Sequence, residues 1–243
     1  MFESRRDHQF PPRANLGAPG GRASISPAAP DTWKILLRDA FDLFDDLDGR
    51  GFGAEPFSLG GGTVLMLRFR HRLSKDIDLF GYDAHWLSHL RPRLNERAAA
   101  LATSYAEQAN KIKIVTARGD IAFIIAGDVT SPVLRERAVI EGRAIDLEPT
   151  AEILSKKLYY RAAGFTARDV YDMSAAIDLD RPAASAAARA AESKRALLVR
   201  RLDEMDGLAA EPLLDTIVPY ERPLRHAKGM LAKVRGFLED PGP

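Results

Sequence analysis

The chain has 243 residues, 46% of them hydrophobic and 28% charged, which is enough apolar material for a sizeable core in one large domain or two small ones. Its 35 basic and 34 acidic residues nearly cancel, so net charge points to no polyanion partner, and the absence of cysteine excludes disulfides and thiolate metal sites. No apolar run is long enough to span a bilayer, and the N-terminus (Glu3, Arg5, Arg6, Asp7, then two prolines) lacks the apolar stretch of a secretory signal; both predict a cytoplasmic protein with no membrane partner.

Residues 1–30 are rich in Pro, Gly, Ala and Ser without periodicity and read as a disordered tail. Asp31 can cap a first helix in which Trp33, Leu36, Leu37, Ala40, Phe41, Phe44 and Leu47 recur at helical spacing, and Asp48-Gly49 should end it. Phe57 and Leu59 form a short strand that runs into Gly60-Gly61-Gly62, and a helix starts near Thr63. The stretch Asp76-Ile77-Asp78-Leu79-Phe80 alternates polar and apolar, as a half-buried strand does. A helix from about Ala84 should turn Leu87, Leu90, Leu94 and Leu101 inward, with Pro92 kinking or dividing it. Strands are expected over 111–116, 120–126 and 143–148. From Thr150 the pattern is helical: 150–163, 166–178, a long Ala-rich helix over about 184–206, and a last one over about 223–238. The order is α+β, with a mixed half over 31–148 and an all-helical half over 149–243 that pack together.

Asp76 and Asp78 point to one face of their strand, about 7 Å apart along the backbone. Two such carboxylates can share Mg²⁺ ions, which take hard oxygen ligands and substrate phosphates. Asp-x-Asp alone is weak: Asp46-x-Asp48 and Asp178-x-Asp180 also occur, both at helix ends where Asp is ordinary. Only Asp76-x-Asp78 lies on a strand and follows a Gly-rich strand-to-helix turn. There the glycines let backbone approach a phosphate, the first N–H groups of the helix donate to it, and Thr63 adds a hydroxyl.

The stretches Gly61-Gly62-Thr63-Val64-Leu65 and His71-Arg72-Leu73-Ser74-Lys75-Asp76-Ile77-Asp78-Leu79-Phe80 resemble the AbiEii/AbiGii nucleotidyltransferase toxins of the DNA polymerase β-like superfamily. A second block fits as well, Glu152-Ile153-Leu154-Ser155-Lys156-Lys157-Leu158-Tyr159-Tyr160-Arg161 followed by Phe165-Thr166-Ala167-Arg168-Asp169-Val170-Tyr171-Asp172-Met173. With the helical tail the resemblance covers roughly residues 33–238. It implies a polymerase β-like nucleotidyltransferase core, a mixed sheet with helices, followed by a helical C-terminal bundle. It implies an enzyme of the EC 2.7.7 type that takes an NTP and two Mg²⁺ ions, a toxin of type IV toxin–antitoxin and phage-defence systems with a cognate antitoxin. The similar MenT toxins transfer nucleotides to the 3′ end of tRNA, which makes RNA, and tRNA in particular, the expected acceptor. By the same resemblance Asp76 and Asp78 are metal ligands, and Gly61, Gly62, Thr63, Arg72 and Ser74 hold the nucleotide. Lys157 neutralises the triphosphate, and Arg168, Asp169 and Asp172 complete the helical side, Asp169 being the candidate general base.

Polymerase β-like enzymes often carry a third carboxylate on a later strand. Here Ala122 holds that position in Asp120-Ile121-Ala122-Phe123-Ile124, and Asp120, two residues away on the same face, can substitute. Two other readings follow: a protein or small-molecule acceptor, or a decayed nucleotide-binding module. Read from the residues alone, Thr166 and Asp169 have capping-box spacing, and Arg168, Asp169 and Asp172 make a surface salt-bridge cluster. One of Lys156 and Lys157 should face solvent, and Tyr159, Tyr160 and Tyr171 read as core. His85 and His89 lack the Glu of a zinc motif and read as a solvated face. Seven basic residues between Arg68 and Arg97 against four acids can track an RNA backbone, as can the basic last helix.

Overall fold

The computed structural model describes residues 31–49, 51, 57–207, 217–223 and 229–242. The expected tail over 1–30 and the first turns of the expected last helix, 224–228, lie outside the described residues. Helix α1 (Thr32–Gly49) ends where Asp48-Gly49 predicts and buries Trp33, Leu36, Leu37, Ala40, Phe41, Phe44 and Leu47. Strand β1 (Ser58–Gly60) passes directly into α2 (Gly61–Phe69), and β2 (Ile77–Gly81) follows. Pro92 separates α3 (His85–Leu90) from α4 (Glu96–Leu101), whose N-terminus is capped by the Asn95 side chain. Leu94, expected inward, is exposed because it lies in the turn between them.

Five further strands complete the sheet: β3 (Ser104–Gln108), β4 (Lys111–Val115), β5 (Asp120–Ile125), β6 (Glu136–Ile140) and β7 (Arg143–Leu147). The order is β3-β4-β5-β2-β1-β7-β6, with β2–β5 and β1–β7 parallel and the other pairs antiparallel. Strands β3 and β6 were not expected. They are the two edges: every residue of β3 is exposed, which leaves no alternating apolar signal, and β6 turns only Ala138 and Ile140 partly inward, too few to stand out.

The helical half comprises α5 (Thr150–Tyr160), α6 (Ala167–Leu179), α7 (Arg181–Ala190), α8 (Arg195–Gly207) and α9 (Met230–Glu239). The single Ala-rich helix expected over 184–206 is two helices, broken by a 3₁₀ turn at Glu192–Lys194. The rival aspartates stay at helix ends: Asp178 pairs with Lys233 at 2.6 Å, and Asp180 accepts from the Ala183 N–H at the start of α7. One apolar core runs through both halves, from Phe44, Phe57 and Phe123 under the sheet to Phe165, Met173 and Val234 among the helices. No helix of the described residues is long and apolar enough to cross a membrane.

Candidate active site

The turn from β1 into α2 sits against the aspartate strand. Gly61 has φ +67°, and a Cβ there would come 2.1 Å from Asp78 Oδ2, so only glycine fits. A Cβ on Gly62 would come 2.7 Å from an Arg72 guanidinium nitrogen. Thr63 is buried; its hydroxyl donates to the Asp76 carbonyl and lies 3.1 Å from Ser74 Oγ. Thr63 thus ties down residues 74–76, while Gly61 and Gly62 face the open space beyond.

Asp76 lies one residue before β2, and its Oδ1 accepts the Asp120 N–H at 3.0 Å. The Asp78 carboxylate makes no hydrogen bond among the described residues. Burial pushes it above its ordinary range and neighbouring Asp76 adds to this, against Lys157 and Lys111, which pull it down. Ala122 stands beside Asp78 in the parallel β2–β5 register, in the position that a third carboxylate would take in the polymerase β-like pattern. Asp120 is on the same face but pairs with Lys113. Among the described residues no cluster of three or more metal-ligating side chains occurs. The pair Asp76 and Asp78 nevertheless fits a hard divalent cation: the donors are oxygens, the Asp78 carboxylate receives no hydrogen bond from the described residues, and substrate phosphates supply ligands in such sites.

The second block supplies the opposite wall. Thr166 and Asp169 form a capping box at the start of α6. Asp169 is buried and also receives Lys157 Nζ at 2.7 Å and Arg161 at 3.2 Å. Burial pushes its carboxyl up, but Lys157 and Arg161 outweigh this and hold it below the ordinary range. With both oxygens occupied it is a poor proton acceptor. Asp172, fully buried, grips Arg72 with two bonds of 2.6 and 2.7 Å, and takes His71 Nε2 at 2.7 Å and Lys157 at 3.1 Å. Burial opposes its ionisation, yet Arg72 and Lys157 hold the carboxyl well below the usual value. These acids are therefore interior anchors and not the surface salt-bridge cluster the residues alone suggested. Neither lysine faces solvent freely: Lys156 pairs with Glu148, and Lys157 with Asp169 and Asp172. Arg168 is exposed and makes no ion pair among the described residues.

The two walls enclose a trough along the face of β2 and β5. At one end is a cavity of about 260 Å³ bordered by Gly62, Arg72, Ser74, Asp76, Lys113 and Arg168. At the other is one of about 520 Å³ bordered by Gly61, Phe80, Asn110, Ile124, Ile153 and Tyr160. Asp78, Lys111, Lys157 and Arg161 border both. Asp172 borders neither and acts through Arg72 and Lys157. Sequence reasoning missed Lys111, Lys113 and Arg161. The alternation Lys111-Ile112-Lys113-Ile114 does put both lysines on one face, but their relevance comes from register, Lys113 opposite Ala122 and Lys111 opposite Ile124.

The family model "Nucleotidyl transferase AbiEii toxin, Type IV TA system" matches residues 43–242. The chain belongs to this family. It is a nucleotidyltransferase, and both quoted blocks lie within the matched region. The search of curated proteins finds no match. Among solved structures, the antibiotic-resistance factor ANT(2'')-Ia is similar at 16% identity, covering 75% of this chain and all of its own, with a TM-score of 0.46. An antigenic nucleotidyltransferase-like protein from Paracoccidioides brasiliensis is similar at 15% identity, over 75% of this chain and 94% of its own, with a TM-score of 0.45.

The basic run from Arg68 to Arg97 is not one open face. Arg68 donates to the Glu148 carbonyl, Arg70 pairs with Glu221, Arg72 with Asp172, Arg91 and Arg93 with Glu107, and Arg97 donates to the Asp42 carbonyl. In the last helix Lys233 and Arg235 pair with Asp178 and Asp203. Tyr171 is core as expected, whereas Tyr160 is exposed and borders the larger cavity.

Proposed function

We propose that this nucleotidyltransferase moves an NMP from an NTP to an RNA hydroxyl, the 3′ end of tRNA, in the cytoplasm, as the toxin of a type IV toxin–antitoxin pair with a role in phage defence. The observation that carries the reading is the trough itself: Asp76 and Asp78 face Arg72, Lys111, Lys113, Lys157 and Arg168 across a space open to solvent. A triphosphate brings several negative charges, and the cations crowded at the smaller end match them. Asp76 and Asp78 would hold Mg²⁺, two ions in our reading, which would supply Lewis-acid polarisation of the phosphate and charge neutralisation on the leaving group.

The protein's own contribution is positioning. Gly61 and Gly62 keep side chains out of the way of the phosphates, and the start of α2 directs its N–H groups at them. Lys157, held by Asp169 and Asp172, presents a fixed ammonium between the two cavities. Asp172 fixes Arg72 by a two-point contact, so the guanidinium beside Gly62 and Ser74 pays little ordering cost on binding. We assign Asp169 to holding Lys157 and capping α6. The RNA hydroxyl attacks the α-phosphorus, the bond to pyrophosphate breaks, and the hydroxyl proton passes to water.

The test is purified protein incubated with each α-labelled NTP, Mg²⁺ and total RNA. The proposal expects label in the tRNA size class and loss of labelling when the RNA is first treated with periodate, which destroys the 3′ diol. Label that appears on protein, or that survives periodate, contradicts the proposed acceptor.

A further inference from the structure

The trough has chemically different ends: the smaller is lined mainly by polar and charged groups, whereas the larger adds apolar and carboxamide side chains to the cations Lys111, Lys156, Lys157 and Arg161. Its walls are Phe80, Ile124, Ala126 and Ile153, with Tyr160 at the rim and the carboxamides of Gln108 and Asn110 at the β3–β4 turn. Tyr160 is 53% exposed, yet it is not loose. Its hydroxyl donates to the Gly127 carbonyl at 3.2 Å, and its ring meets Tyr159 edge-on at 5.1 Å. Tyr159 is itself held under the Lys194 ammonium. An aromatic face is thus kept rigid and wet at the mouth of a half-apolar space. Stacking a flat ring there loses little side-chain freedom.

The amides add an edge-reading element. Asn110 Nδ2 donates to the Ile125 carbonyl at 3.3 Å, which fixes the flip of the amide and leaves Oδ1 as an uncommitted acceptor. Gln108 makes no side-chain hydrogen bond among the described residues. A fixed aromatic face, apolar walls and carboxamides are complementary to one kind of group, a nucleobase, whose faces stack and whose edge carries donors and acceptors. Asp78, Lys111, Lys157 and Arg161 stand between this space and the cation-rich cavity. A nucleotide lying along the trough would put its α-phosphate at that junction.

We propose that the cavity between the β3–β4 turn and the end of α5 is the nucleobase subsite for the incoming NTP. Tyr160 is its stacking platform, and Gln108 and Asn110 set base preference. The inference rests on the nucleotidyl-transfer reading of the trough, so the experiment separates the two. Calorimetry with Mg²⁺ measures binding of the four α,β-methylene NTPs and, separately, of inorganic tripolyphosphate; it requires no acceptor and no turnover. Tyr160→Ala is expected to weaken all four nucleotides by about tenfold or more, while Tyr160→Phe, which keeps the ring but loses the bond to Gly127, gives a clearly smaller loss. Tripolyphosphate affinity should be unchanged in both variants. Asn110→Ala and Gln108→Ala should alter the order of the four affinities. Unchanged nucleotide affinity in Tyr160→Ala, or an equal loss of tripolyphosphate, overturns the subsite. Wild-type protein that binds neither nucleotides nor tripolyphosphate overturns the nucleotidyl-transfer reading and the subsite with it.

Discussion

Asp78 is a carboxylate in a costly place. Burial pushes it upward, the Asp76 carboxylate adds to that, and among the described residues no hydrogen bond compensates. The sign of its contribution to stability follows: the folded carboxyl titrates above the unfolded one, so stability is lost as pH rises through that interval. Asp78→Asn should therefore raise the melting temperature of the metal-free protein at neutral pH while abolishing transfer. A lower melting temperature would mean that the carboxylate stabilises the fold. Asp172 is the opposite case. Its carboxyl is held well below the ordinary value of 3.8, so its contribution is complete above that value and fades as pH falls below it. Asp172→Ala leaves Arg72, His71 and Lys157 without their buried partner and should cost about 3–5 kcal/mol in urea unfolding at neutral pH. A loss within experimental error would show that these groups find other partners. Sequence grouped Asp172 with Asp78 in one expected site, and the structure puts Asp172 against Arg72 and Lys157, which border the trough. Sequence did not reveal that Asp172 works from behind Arg72 and Lys157, because burial depth is set by how α6 packs and not by residue type.

At the level of elements, the turn from β1 into α2 is the most constrained piece of chain. Gly61→Ala introduces a side chain at positive φ, which costs about 1–2 kcal/mol, and drives its Cβ into Asp78. The expected outcome is a modest fall in stability with loss of transfer; an active, stable Gly61→Ala protein would show that Asp78 can stand elsewhere. This turn was legible in the sequence because glycine runs carry conformational meaning. Strands β3 and β6 were not: β3 is exposed throughout, and β6 offers only Ala138 and Ile140, half-buried, as an apolar face. The split of the Ala-rich helix was equally hidden: alanine favours helix throughout and marks no break at Glu192–Lys194. Helix α6 was legible in detail, capping box included, because Thr166 and Asp169 act locally.

Over the whole molecule the sheet half and the helical half are bound through the site. Arg72 and His71 meet Asp172, Lys157 faces Asp78, and residues 217–222 lie beside 70–73, with Leu73 N–H donating to the Val218 carbonyl at 2.8 Å. The boundary drawn near residue 148 marks a change of pattern, and we expect no independent unit on either side of it. A fragment ending at residue 148 should unfold without a cooperative transition; a sharp urea transition would show instead that it folds alone. The central claim is that Asp76 and Asp78 form the centre of nucleotidyl transfer. The most direct measurement is the rate of label transfer from α-labelled NTP to tRNA with Mg²⁺ by wild type and by the Asp76→Ala, Asp78→Ala double variant. The account predicts transfer by wild type and a fall on the order of a thousandfold or more in the variant, with nucleic acid and nucleotide otherwise unchanged. Transfer that survives in the double variant would contradict it.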